Sequence, residues 1–230
     1  MYRRWWRRGR REGGDRLHQR KLWSGLFMKI INARINRFTA FGVLASVCLA
    51  ASAGAPRPAW TGRDQADAVH LVAAVRQQDA DAVRHMAKDG VDVNASVRGD
   101  GTPLIIAAKR GDLAMVNVLL GLGASVNLAV HGDGNPLVAA SAAGRLDVMA
   151  RLLAAGASIN LVVPDDETAL ISAVRNDHLD AVELLVEHGA DVNLGVVANG
   201  SQWRSPLNQV HSESIRKYLS RHGAVVGHPG

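Results

Sequence analysis

Apolar residues recur at helical spacing along short, paired segments of this chain, and residues 101–127 show the pattern most clearly. Thr102 and Pro103 have the chemistry of a helix N-cap and of a first helical residue. Gly111 ends this first helix, and apolar residues at spacings of three and four then indicate a second helix that stops at Gly123. The pattern therefore predicts two short antiparallel helices.

The same pattern returns along the chain with a period of 33 or 34 residues. The glycines that end the second helix of each pair show this period, and they are Gly90, Gly123, Gly156, Gly189 and Gly223. One pair of short helices cannot bury its apolar face alone, so the pairs must stack on one another. We expect Leu119 and Leu120 to be buried between the stacked pairs.

The repeated residues also resemble a known family. TPL, paired alanines, G-D-L, V-x-x-L-L and G-A-x-V-N at a period of 33 are similar to the ankyrin repeat over residues 66–226. The resemblance implies an all-α ankyrin-repeat solenoid of about five helix-turn-helix repeats joined by short β-hairpin fingers. The expected repeats lie at about 66–96, 97–129, 130–162, 163–195 and 196–226. The fingers are also similar to those of ankyrin arrays appended to membrane-bound sensor metallopeptidases.

Three departures from the family pattern affect the expected packing. The histidine that often follows TPL is replaced by Ile105, Val138, Ile171 and Asn208. Its hydrogen bond is therefore missing, and apolar packing must tie successive turns together. The first repeat has a polar outer helix and the last repeat is three residues shorter, as expected of terminal caps. The stretch 195–204 is an insertion that lengthens the finger before the last repeat.

Residues 28–53 have the three regions of a secretory signal peptide: a basic start, an apolar middle and small residues at a cleavage site. We predict cleavage after Ala53, which leaves residues 54–65 as a flexible linker before the fold. The alternative is an inner-membrane anchor formed by residues 38–56, although alanine, serine and glycine dilute its second half. The expected location is the periplasm or the outside of the cell.

The charge of the chain is unevenly distributed, and its net value of +6 comes from the N-terminal residues. Residues 1–27 contain nine Lys and Arg, and we interpret them as an untranslated or disordered basic leader, with Met28 as the start of translation. Residues 54–230 contain 15 Lys and Arg against 19 Asp and Glu. The repeat region is thus mildly acidic, and no nucleic acid partner is expected.

Motifs of enzyme active sites are absent from the sequence. It contains no H-E-x-x-H, no G-x-S-x-G, no G-K-[ST] loop and no dinucleotide-binding glycine motif. The nine histidines include no pair spaced to bind a metal from one helix, and the single cysteine, Cys48, lies in the signal peptide. We therefore predict no catalysis, no cofactor, no metal and no small-molecule substrate.

Recognition is the function that the resemblance implies. Ankyrin repeats align finger tips and inner helices along one concave groove, where side chains do not serve the core. By alignment to the repeat, the predicted partner-binding residues are Arg98, Lys109, Arg110, His131, Asp133, Asp165, Glu167, Arg175, Asn176, His188, Trp203 and Arg204. A basic second repeat and a more acidic fourth repeat indicate a partner with opposite charges at its two ends. For Trp203, packing against the last repeats is the alternative to partner binding.

The sequence thus predicts a monomeric, non-catalytic protein-protein interaction module of the bacterial cell envelope. Its partner is a protein of unknown identity. The alternative is an inhibitor or immunity-type protein that blocks one envelope enzyme or toxin, again by binding. No contact with the membrane is expected once the signal peptide is removed.

Overall fold

The computed structural model describes residues 62–163, 167–198 and 202–227. Over this part of the chain the backbone forms nine α-helices, one 3-10 turn and one two-stranded sheet. The expected basic leader (1–27) and signal peptide (28–53) lie outside the described residues.

The helices come in pairs, each with an inner helix followed by an outer helix. The inner helices are α1 (Gly62–Arg76), α3 (Pro103–Arg110), α5 (Pro136–Ala142) and α7 (Ala169–Arg175). The outer helices are α2 (Ala80–Lys88), α4 (Leu113–Gly121), α6 (Leu146–Ala154), α8 (Leu179–Glu187) and α9 (Glu213–Arg221). Inner helices pack on inner helices and outer helices on outer helices in chain order, so the pairs stack as predicted.

Side-chain caps fix where the inner helices begin. Thr102, Asn135 and Thr168 each accept a hydrogen bond from the backbone N–H three residues further on, at 3.0 to 3.2 Å. These N–H groups belong to the first turn of a helix and have no partner within it. Gly111 ends α3 in the left-handed conformation, with φ 77°, as its sequence position predicts.

The core is a row of aliphatic side chains between the inner and outer helices. Leu119, Leu152 and Leu185 occupy the same position in three successive repeats, and each is fully buried. The expectation that Leu120 is equally buried is wrong, because this side chain is only half-buried. Successive residues on a helix are rotated by about 100°, so Leu119 faces the inner helices and Leu120 lies at the edge of the core.

The fingers contain little regular sheet. Single antiparallel bridges close the fingers of the second and third repeats. Among the described residues, strands occur only in the finger before the last repeat, as β1 (Val196–Ala198) and β2 (Gln202–Arg204). They pair antiparallel, with Val197 opposite Trp203. The insertion at 195–204 is therefore what makes this finger long enough for a hairpin.

Asparagines at the ends of four repeats connect each repeat to the next. The side-chain oxygens of Asn94, Asn127, Asn160 and Asn193 accept hydrogen bonds from backbone N–H groups of the next repeat at 2.7 to 2.9 Å. Three of these side chains also donate to a glycine carbonyl of the next repeat, at 3.0 to 3.4 Å. Ile105, Val138 and Ile171 are buried as expected, so apolar packing and this ladder of asparagines together tie the repeats.

Both ends of the array differ from the central repeats. Helix α1 begins at Gly62, so the last residues of the expected linker (54–65) are helical, and Asp64 places a favourable acidic residue in the first turn. In the last repeat a 3-10 turn (Leu207–Gln209) takes the place of the inner helix. This repeat has three fewer residues between its proline and its final glycine, too few for a full helix pair.

Candidate functional site: the groove along the inner helices

The C-terminal ends of the inner helices and the tips of the fingers enclose a cavity of about 540 Å³, which we call the groove. It is lined by Arg76, Gly99, Asp100, Ile105, Ile106, Lys109, Arg110, Gly132, Asp133, Val138, Ala139, Ala142, Ala143, Ser172, Arg175 and Asn176. Five of the predicted partner-binding residues are in this set: Lys109, Arg110, Asp133, Arg175 and Asn176.

Small side chains of the third repeat form the middle of the groove. Ala142 is the last residue of α5 and Ala143 is its C-cap, and both are half-buried. An alanine side chain ends at Cβ, so the backbone of a bound segment can approach the helix closely at this point.

At the end formed by the second repeat, two cations face solvent. Lys109 and Arg110 occupy the last turn of α3, and both are exposed. Neither forms an ion pair with any residue in the described part of the chain. The nearby finger residue Asp100 is paired with Arg76 at the end of α1, so its charge is already balanced.

The backbone carbonyls at the ends of two inner helices are occupied by side chains of the following repeat. Arg145 Nε donates to Lys109 O at 3.5 Å, and His178 Nε2 lies 3.2 Å from Ala142 O. A Cβ on Gly111 would lie 2.8 Å from Arg145 Cδ, so the arginine stem covers that glycine closely. These contacts therefore offset part of the negative partial charge at the C-terminal ends of α3 and α5.

The end formed by the fourth repeat differs from the sequence prediction. Glu167, expected on the groove surface, is 0% exposed. Its Oε1 lies 3.0 Å from Arg175 Nη1 and also pairs with Arg204, whose side chain is only 13% exposed. Ser172 Oγ donates to Glu167 Oε2 at 3.3 Å. The inserted finger places Arg204 on strand β2 over this carboxylate, which explains why Glu167 and Arg204 are withdrawn from the groove.

Trp203 and His188 also lie away from the groove. The Trp203 ring covers Gly195 so closely that a side chain at that glycine would collide with it. It lines a second cavity of about 370 Å³ together with Leu194 and Val225. This placement fits packing against the last repeats. His188 caps the outer helix α8 and its Nδ1 lies 2.8 Å from Leu184 O.

Two further predicted residues belong to finger tips. Arg98 and His131 are exposed beside Gly99 and Gly132, next to the groove but not in its lining. Asp165 lies outside the described residues. The groove thus joins the second, third and fourth repeats through Lys109, Arg110, Asp133, Arg175 and Asn176.

Comparison with known families agrees with this architecture. A model of the ankyrin repeat matches residues 100–130, and a model of ankyrin repeats in three copies matches residues 123–195. The chain contains ankyrin repeats over residues 100–195. The matches span the second, third and fourth repeats, which form most of the groove, and the structure adds the atypical repeats at both ends of this ankyrin array. A search of curated proteins found no match.

Ankyrin repeats generally mediate protein-protein interaction. Within the described ranges no group of three or more His, Cys, Asp and Glu side chains is arranged to hold a metal ion. In the same residues no helix has the length and apolar character needed to cross a membrane.

Proposed function

We propose that this ankyrin-repeat protein is a non-catalytic module of the bacterial cell envelope that binds a partner protein through the groove. The observation that carries the proposal is the lining of the groove. Lys109, Arg110 and Arg175 are charged and exposed, and they surround a surface of small side chains. Lys109 and Arg110 belong neither to the aliphatic core nor to an ion pair among the described residues, so the fold does not explain their presence.

A bulky side chain in the middle of the groove tests this proposal. Ala142→Trp fills the groove where α5 ends, and we expect it to abolish capture of partner proteins from an envelope extract. Ala150→Trp is the matched control, because Ala150 is exposed on the outer helix α6 of the same repeat. Mass spectrometry should identify partners captured by the wild type and by the Ala150 variant, and none of these partners should be captured by the Ala142 variant. Equal recovery by all three proteins would exclude the groove as the binding surface.

The envelope location is a second part of the proposal and has its own test. Its support is the pattern of residues 28–53, with a basic start, an apolar middle and Ala51-Ser52-Ala53 at the end. Mass spectrometry of the protein from its native host should find Gly54 at the mature N-terminus. An intact N-terminus in a cytoplasmic fraction would contradict export and would leave the groove proposal unaffected.

A further inference from the structure

We infer that the partner segment held by the groove is acidic at both ends, with small uncharged residues between two carboxylates. This inference rests on the proposed function and adds the chemistry of the ligand. The sequence alone indicates a partner with opposite charges at its two ends, since the fourth repeat contributes Asp165 and Glu167 to the predicted groove. Burial of Glu167 changes that expectation, because among the described residues the fourth repeat presents Arg175 to the groove and not the carboxylate.

Among the described residues, the charges that line the groove are mostly positive. Four cations of this part of the chain line it, Arg76, Lys109, Arg110 and Arg175, against Asp100 and Asp133. Asp100 is balanced by Arg76, which leaves Lys109 and Arg110 at one end as cations without an ion pair in the described residues. This lining contrasts with residues 62–227 as a whole, where 14 Lys and Arg stand against 19 Asp and Glu. A locally positive cleft in an acidic domain attracts an acidic segment and disfavours the long anionic backbone of a nucleic acid.

An ion pair with Glu167 fixes the position of the Arg175 side chain before a ligand binds. Its Nη1 lies 3.0 Å from Glu167 Oε1, and its side chain is still 44% exposed. Glu167 in turn is fixed by Arg204 and by Ser172. An arginine whose position is fixed before binding loses less side-chain entropy on contact with a ligand carboxylate.

The spacing of the repeats sets the spacing of the two carboxylates. Lys109 and Arg175 end inner helices that are two stacking steps apart, through α5. Packed helices lie about 8–10 Å apart, so the two ends of the groove are separated by roughly 16–20 Å. An extended segment spans this distance with about six residues. Side chains of an extended segment alternate between two faces, so two acidic residues an even number of positions apart point to the same face.

The middle of the groove selects what lies between the carboxylates. Ala142 and Ala143 leave little side-chain bulk there, so a bound backbone can lie close to the end of α5. Asp133 reaches the same region from the third finger and repels a third acidic side chain. Alanine, glycine or serine in the middle of the segment fits both conditions.

The experiment uses synthetic peptides and the full chain. The probe is a peptide with blocked ends and a neutral fluorophore, in which two glutamates stand about six positions apart across alanine and glycine. Comparison peptides have glutamine or lysine at the two positions, or the two glutamates side by side. Fluorescence anisotropy should show the strongest binding for the spaced acidic peptide. The peptide with adjacent glutamates measures nonspecific attraction to the basic residues 1–27.

Charge reversal locates the binding on the protein. Lys109→Glu/Arg110→Glu should weaken binding of the spaced acidic peptide by roughly tenfold or more. Lys88→Glu/Arg221→Glu is the matched control, since both residues are exposed in last turns of outer helices and the net change in charge is the same. Equal binding of the glutamine peptide, equal loss in both variants, or absence of binding would overturn the inference. Tighter binding of a single-stranded oligonucleotide than of the spaced peptide would also overturn it.

The two proposals fail in different ways. If the peptides do not bind but Ala142→Trp still abolishes capture of the natural partner, the groove is the binding surface and the acidic chemistry is wrong. If the spaced peptide binds as expected but Ala142→Trp leaves capture unchanged, the preference for carboxylates is correct and the natural partner binds elsewhere.

Discussion

The two ends of the groove carry arginine and lysine side chains in different surroundings. At the end of α3, Lys109 and Arg110 are exposed and have no ion-pair partner in the described residues. At the end of α7, Arg175 and Arg204 converge on Glu167, which is completely buried. The difference arises from the inserted finger, which places Arg204 over the carboxylate. Lys109 and Arg175 thus occupy the same repeat position in different settings: Lys109 has no ion-pair partner among the described residues, whereas Arg175 is paired with a buried carboxylate.

The largest expected effect comes from removing the buried carboxylate. Glu167→Ala leaves Arg204, which is 13% exposed, without its main partner. Removal of one partner from a buried ion pair costs about 3–5 kcal/mol in the free energy of unfolding. Urea unfolding followed by circular dichroism measures this. Asp81→Ala is the control, because its pair with Arg84 is exposed and should change the free energy of unfolding by less than about 1 kcal/mol.

A double replacement separates the charge from the packing at this end. Glu167→Leu/Arg204→Leu removes both ions and keeps apolar bulk, and it should cost less than Glu167→Ala alone. If the double variant is the less stable of the two, the buried ion pair contributes more than a leucine pair can replace. The ion pair at the fourth-repeat end would then be a net contributor to the free energy of unfolding, whereas the cations at the second-repeat end form no ion pair among the described residues.

The next expected effect tests whether the two ends share the same core. Leu119 in the second repeat and Leu185 in the fourth are both fully buried. Leu119→Ala and Leu185→Ala should each lower the free energy of unfolding by about 2–5 kcal/mol. Leu120→Ala should cost less, because Leu120 is half-buried. A large loss at only one of the two buried leucines would mean that the ends differ in their cores as well as in the groove.

A smaller effect is expected at the helix caps. Thr102 and Thr168 cap α3 and α7 with the same hydrogen bond of 3.2 Å, and both are buried. Thr102→Ala and Thr168→Ala should each cost about 1 kcal/mol in the free energy of unfolding. Since Thr168 follows Glu167 directly, a much larger loss at Thr168 would show that this cap and the ion pair act together. Serine replacements at both sites keep the hydroxyl and should restore most of the stability.

The sequence predicts features of this protein that depend on near neighbours. The cap at Thr102 acts on Ile105 three residues away, and the fixed period reveals the stacking, so both are readable from the residues. Burial of Glu167 depends on Arg204, 37 residues later, and the asparagine ladder joins residues about 31 apart. No local pattern marks these contacts, because they form only once the repeats are stacked. For this reason the sequence identifies residues that line one cavity, such as Lys109 and Arg175, and does not reveal that Glu167 is buried.

The smallest expected effect on stability is at the second-repeat end of the groove. Lys109→Ala/Arg110→Ala removes two exposed cations without an ion pair in the described residues, and the free energy of unfolding should change by no more than about 0.5 kcal/mol. Arg204→Ala removes one cation of the same kind from the other end and should cost several times more, because it takes a partner from the buried Glu167. The same urea unfolding experiment measures both variants. A clear loss of stability in the Lys109 and Arg110 variant would mean that these side chains support the fold, and the reason for assigning them to recognition would be lost.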